Sequence, residues 1–137
     1  QQVFTIAGKL CALVCIALLT FTPLKVGQPV FVVGSFLIVL SLIGLAKAMC
    51  DFRNTPLDEA VTRGIYHLSR HPQIVTSSLV ILGTCIAVGS WLAAAVWAVA
   101  RVMEHFGILA EEEVCLRQYG ESYRTYMKRI PRYFLFL

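Results

Sequence analysis

Four apolar runs set the terms for this chain: Val3 to Thr22, Val30 to Met49, Ile74 to Val88, and a run that opens at Trp91 and stays apolar to Ala100. A hydrocarbon core about 30 Å thick takes on the order of 20 apolar residues per helix, so these runs predict three or four membrane crossings. Only 15% of the 137 residues are charged and 58% are hydrophobic, whereas a soluble domain carries roughly 25% charged residues. No stretch is left over for a separate soluble domain. The expected fold is therefore all-α, a single membrane domain over 1–137, with about four spans in two hairpins at 3–22, 30–49, 73–88 and 91–110.

The breaks between runs are equally readable. Pro23, Lys25, Gly27 and Pro29 make a short polar turn that joins the first two runs into a hairpin. Gly34, Ser41 and Gly44 put small residues where a neighbouring helix can come close, which is ordinary packing in a membrane span. From Asp51 to Pro72 the chain turns polar, with Arg53, Asp58, Glu59, Arg63, His67, Arg70 and His71, and this predicts the main loop, 51–72. Gly89-Ser90 allows only a tight antiparallel connection. Lys47, Arg53, Arg63, Arg70 and the basic tail then fall on the side of the N-terminus, and the positive-inside bias assigns that side, including the C-terminal segment 111–137, to the cytoplasm. The net charge of +4 gathers at span ends and forms no stripe suited to DNA or RNA. The first run is long for a signal-peptide core and lacks a basic leader, so it is expected to stay in the membrane.

The fourth run carries the chemistry. After Ala100 it places Arg101, Glu104, His105, Glu111 and Glu112 on a continuing helical pattern, and positions 101, 104, 105, 108, 111, 112 and 115 share one face. Ionisable groups near hydrocarbon are costly and face a protein interior or a water-filled cavity, so this stripe predicts a site opening toward the cytoplasm. His71 stands before Pro72, which keeps it out of helical geometry at the mouth of the same cavity. That break also removes the i, i+4 relation of His67 and His71, and no cysteine pattern joins them, so no metal site is expected. Cys11, Cys15, Cys50, Cys85 and Cys115 read as small hydrophobes. Ser69, Ser77 and Ser78 carry no nucleophile elbow, and no glycine-rich phosphate loop occurs. Beyond Gly120, a helix-capping position, Tyr123, Tyr126, Met127 and Ile130 recur at helical spacing opposite Arg124 and Lys128, predicting a short interfacial helix that ends at Pro131.

Two motifs together carry a resemblance: Gly64-Ile65-Tyr66-His67-Leu68-Ser69-Arg70-His71-Pro72, and Glu111-Glu112-Glu113 followed by Tyr119-Gly120, Tyr123, Tyr126 and Pro131-Arg132. In order and spacing the chain resembles the isoprenylcysteine carboxyl methyltransferase and phospholipid methyltransferase superfamily over Thr62 to Arg132. The resemblance implies that S-adenosylmethionine binds at the cytosolic face beneath the C-terminal segment while a lipid or lipidated acceptor arrives from the bilayer. Tyr66, Arg70, His71, Glu111 and Glu112 would line the cofactor pocket, Tyr123, Tyr126 and Arg132 would meet the acceptor, and Glu104, His105 and Arg101 would be the catalytic candidates. An amine acceptor needs a base such as Glu104 or His105, because an ammonium is not a nucleophile. The chain departs from the pattern after Pro72, where Gln73, Ile74 and Val75 replace a usual Tyr, and at Gly107 and Ile108, where carboxyl methyltransferases tend to carry an Arg. The rival readings are a non-catalytic scaffold of the same fold and a sterol-reductase-like enzyme using a nicotinamide donor, against which the Glu111-Glu112 pair argues.

Overall fold

The computed structural model of the protein describes residues 2–23, 26–56 and 60–133, without the side chains of 2–5 and 9. Lys25, Asp58 and Glu59, which the sequence assigns to the two polar connections, lie outside the described residues, as does 134–137. Among the described residues the structure is entirely helical: α1 is Gln2–Phe21, α2 Pro29–Arg53, α3 Pro72–Val88 and α4 Trp91–Arg129, with one 3-10 turn at Gly64–His67. Two helices, α2 and α4, are long and apolar enough to cross a membrane, while the apolar lengths Ile6–Phe21 and Pro72–Val88 are shorter.

One boundary differs from that expected. The helix of the second run continues past Met49 to Arg53, because Lys47 and Asp51 pair at 3.7 Å across one turn and the polar residues extend the helix before any loop begins. α4 runs past the expected span end at 110, as the continuing helical pattern predicts, and resumes to Arg129 beyond Gly120, whose φ of 58° and ψ of −131° are non-helical. Glycine alone takes such angles without a Cβ conflict. The expected junction at Gly120 is thus present: two helical stretches, 91–119 and 121–129, meet there at a kink.

Packing is inside-out relative to a soluble domain. α2 lies along α3 and α1 along α4, and the residues buried in these helices are mostly small: Ser41, Ala48, Ala87, Ala93 and Ala100. Gly34 sits so close to the backbone of Gly83 and Ala87 that no side chain fits between them, and a Cβ on Gly44 would press on Thr76. Close backbone approach through small residues is how helices associate where lipid removes the usual hydrophobic drive. Large apolar side chains such as Val32, Phe36, Ile43, Leu92 and Val102 face outward. Of the cysteines, Cys15 and Cys85 are buried as expected of small hydrophobes, but Cys50 is exposed.

The hairpin between α3 and α4 closes as its sequence requires. Gly89 takes a left-handed conformation at φ 71°, and the Ser90 hydroxyl accepts the Ala93 N–H at 3.3 Å to cap α4. Because this turn is tight, the start of α3 and the polar half of α4 come together at the end of the molecule opposite Gly89. The candidate site forms there.

Candidate functional site

The first wall of the site is fixed by the end of α2. Asp51 Oδ2 accepts the Ile65 N–H at 2.9 Å, which holds the 3-10 turn against α2. Gly64 has φ +60°, and a Cβ there would run into the Asp51 carboxylate. The turn buries Tyr66, whose carbonyl accepts the Tyr126 hydroxyl at 2.8 Å. That bond brings the helical segment after Gly120 back over the loop.

The chain then enters α3 through Ser69, Arg70 and His71. His71 has φ −127° and ψ 59°, outside the helix, as the proline after it requires. The tail runs beside this segment. Arg70 N–H donates to Pro131 O at 3.0 Å, and the Ser69 hydroxyl donates to Arg132 O at 2.9 Å.

Glu112 is the electrostatic centre, with only 3% of its side chain exposed. Its Oε1 lies 2.8 Å from Arg70 Nη1 and 3.3 Å from His71 Nε2. Its Oε2 accepts Arg132 Nε at 3.0 Å and Nη2 at 2.8 Å. A carboxylate only accepts, so His71 carries its proton on Nε2. Burial alone would raise the Glu112 pKa, but the hydrogen bonds from His71 and Arg132 and the charges of Arg70 and Arg132 outweigh it and hold the carboxyl at about 2. Two guanidiniums thus share one carboxylate. Arg70 Nε and Nη1 are buried without a hydrogen-bond partner, the Nη1 approach to Glu112 being an ion pair only. A buried cation with unused donors is expensive unless a further anion arrives.

Beside this cluster lies a cavity of about 210 Å³, and Tyr66, Arg70, His71, Glu111, Tyr123 and Tyr126 all line it. Glu112 does not line it, since it is turned inward beneath Arg70 and His71. Tyr119, Tyr123 and Tyr126 form a graded wall, with ring centroids 6.5 and 5.8 Å apart and planes tilted by 41° and 48°. Burial first, then the Glu111 and Asp51 carboxylates, push the Tyr66 phenol up to about 12, against a hydrogen bond with Gln73. Burial and Glu111 likewise raise the Cys115 thiol. Both groups therefore stay neutral near pH 7. The sequence reading missed Gln73, Ile74, Cys115 and Tyr119 in the lining; Cys115 was on the polar face of α4 and Tyr119 beside the kink, so both carried a positional signal.

Arg101, Glu104 and His105 lie apart from the cavity. Arg101 pairs with Glu104 within α4, and His105 Nδ1 meets the Tyr133 hydroxyl at 2.9 Å. Arg132, expected at the acceptor, is engaged with Glu112. Tyr133, absent from the sequence expectations, joins the two clusters, because it follows Arg132 directly and reaches His105. Among the described residues no group of His, Cys, Asp and Glu is arranged to hold a metal ion.

A family model described as phospholipid methyltransferase matches residues 22–122. No curated protein and no solved structure matches the chain.

Proposed function

We propose that this chain, which belongs to the phospholipid methyltransferase family, is an S-adenosylmethionine-dependent methyltransferase of the membrane that acts on a lipophilic acceptor. The observation that supports the cofactor assignment is the charge distribution beside the cavity: at one pole the buried Arg70 guanidinium shares Glu112 with Arg132 and keeps its Nε without a hydrogen-bond partner, and Glu111 with Tyr119, Tyr123 and Tyr126 forms the other. S-adenosylmethionine has a matching carboxylate, ammonium and sulfonium. Guanidinium to carboxylate is a strong charge-assisted contact, and tyrosine faces attract onium groups.

When bound, S-adenosylmethionine would supply an electrophilic methyl group, which passes to the nucleophile as the C–S bond breaks and the neutral thioether leaves. The protein's work is positioning and exclusion of water. Arg70 and His71 hold the carboxylate end, and Glu111 the cationic end. The segment after Gly120 covers the cavity through Tyr123 and Tyr126, both buried. For an amine acceptor a base must take the proton, and Glu104 and His105, farther along α4 from the cavity, are the candidates on the acceptor side; for a carboxylate no base is required.

The membrane arrangement that goes with this reading is four spans, α1 to α4, with both termini and the loop between α2 and α3 on the cytoplasmic side. Large outward-facing apolar side chains on α1, α2 and α4 support it, as does the gathering of Arg53, Arg63 and Arg70 with the tail at one end.

Calorimetry on the detergent-purified protein tests the cofactor assignment. Saturable S-adenosylmethionine binding is expected, lost in Arg70→Gln and Glu111→Ala while helical content is retained. Absence of binding to the wild type, or binding of a nicotinamide dinucleotide in its place, would overturn it.

A further inference from the structure

We infer that Ser69 is a positioning residue that couples the cofactor cavity to the C-terminal tail. This rests on the proposed function for what occupies the cavity, but the coupling itself is read from the protein alone.

Ser69 is 1% exposed. A serine buried to that degree must satisfy its hydroxyl. It does so in two directions: the proton goes to Arg132 O at 2.9 Å, and a lone pair accepts the His71 N–H at 3.2 Å. With its single proton committed to a carbonyl, the hydroxyl is neither a nucleophile nor a donor to a ligand. Its role is to hold two pieces of chain together.

Those two pieces are the ones that matter. On one side stand Arg70 and His71, which line the cavity. On the other stand Pro131, Arg132 and Tyr133, whose contacts run to Arg70 N, Glu112 and His105. Beyond Ser69, the two segments are joined by the Arg70 N–H to Pro131 O hydrogen bond and indirectly through Glu112 of α4, which pairs with Arg132 on one side and with Arg70 and His71 on the other. Glu112 is itself shared, giving Oε1 to the cavity side and Oε2 to the tail. An anion that joins Arg70 and His71 relieves their demand on Glu112 and leaves it to Arg132. Ligand binding and tail closure then favour each other, and Ser69 keeps the two segments in register for that exchange.

The expected consequence is reciprocal. In wild-type protein, S-adenosylmethionine should slow hydrogen exchange at the tail amides of Arg132 and Tyr133. Ser69→Ala removes one atom and introduces no clash, so the helices should remain. In this variant the tail amides should exchange about tenfold faster without ligand, and S-adenosylmethionine affinity should fall by about tenfold, the scale for losing buried hydrogen bonds. Ser69→Thr, which keeps the hydroxyl, should recover tail protection and affinity together; Ser69→Cys, of similar size but a weak donor, should not.

Unchanged tail exchange in Ser69→Ala would overturn the pinning role. Faster tail exchange with undiminished cofactor affinity would overturn the coupling and leave Ser69 purely structural. If the wild type fails to bind S-adenosylmethionine at all, the proposed function falls and the coupling to it falls with it, whereas the exchange comparison still decides whether Ser69 pins the tail.

Discussion

Arg132 directs Nε and Nη2 to the same oxygen of Glu112, at 3.0 and 2.8 Å, from 20 positions away in sequence. This contact closes the tail over the polar end of the molecule, and it satisfies the half of the Glu112 carboxylate that Arg70 and His71 leave free. Removing one partner of a buried pair strands the other. Glu112→Ala would leave Arg70 and Arg132 facing each other with no anion between them, at a cost of about 3 to 5 kcal/mol. Arg132→Ala should cost less, since 23% of the Arg132 side chain reaches solvent and Arg70 and His71 still hold Glu112. Chemical-denaturation midpoints of the two variants in one detergent check the order.

Acid should open the tail before it melts the helices. The Glu112 carboxyl is held at about 2, below its ordinary value of 4.5. A depressed carboxylate contributes stability that is present above the ordinary value and lost as pH falls through the folded one. Tail protection should therefore be constant above pH 5 and decline from about 4.5 toward 2. Limited proteolysis at stepped pH, using an acid-tolerant protease, reads this. In Arg132→Ala the tail should be cleaved readily at every pH, without the step.

Much of this site was legible because the motif residues Tyr66, Arg70, His71, Glu111, Tyr123 and Tyr126 converge on one cavity. What the sequence could not separate was Glu111 from Glu112. Neighbours on a helix differ by about 100° in direction, so one faces the cavity and the other turns beneath it, and which does which depends on where α3 packs. The Ser69 to Arg132 bond spans 63 positions and leaves no periodic trace. The extension of α2 to Arg53 was hidden for a different reason: polar residues at a helix end look like a loop to a hydropathy reading. The number of membrane crossings rests on length and composition, with α2 and α4 meeting both.

Gly64→Ala should be among the most damaging single substitutions outside the charged cluster. The position combines a left-handed φ with a Cβ path blocked by the Asp51 carboxylate. Left-handed strain alone costs on the order of 1 to 2 kcal/mol for a residue with a Cβ, and displacing Asp51 also breaks its bond to Ile65 N. Tyr66 and the Tyr126 bond shift with the turn. A loss of S-adenosylmethionine affinity exceeding tenfold, with helical content preserved, is the expected result in a calorimetric titration. Asp51→Ala in the same background should relieve the clash but not the backbone strain, recovering part of the affinity.

Gly120→Ala isolates backbone conformation from packing, since beyond its chain neighbours and its own helix backbone nothing lies within 4 Å of the added Cβ. Its φ of 58° and ψ of −131° lie in a region where a non-glycine residue pays about 1 to 3 kcal/mol. The least costly escape is to straighten α4, which also improves local helix propensity. A straightened helix rotates Tyr123 and Tyr126 off the cavity and breaks the Tyr126 to Tyr66 bond. Helical content should rise slightly while cofactor affinity falls, a pairing that simple destabilisation does not produce. Circular dichroism and calorimetry on one sample decide it.

The proposed division of labour along α4 can be tested at His105, which lies outside the cavity and is held by Tyr133. His105→Ala should leave S-adenosylmethionine affinity within about twofold and lower turnover of an amine acceptor by about 100-fold, the low end of what a positioned base contributes. Tyr133→Phe removes the hydroxyl that orients the ring and should lower turnover by a smaller factor, again with cofactor affinity retained. If His105→Ala weakens cofactor binding as much as Arg70→Gln does, the two clusters act as one pocket and the separation is wrong. If turnover is unaffected, the proton goes to Glu104, and Glu104→Gln becomes the variant that should lose it.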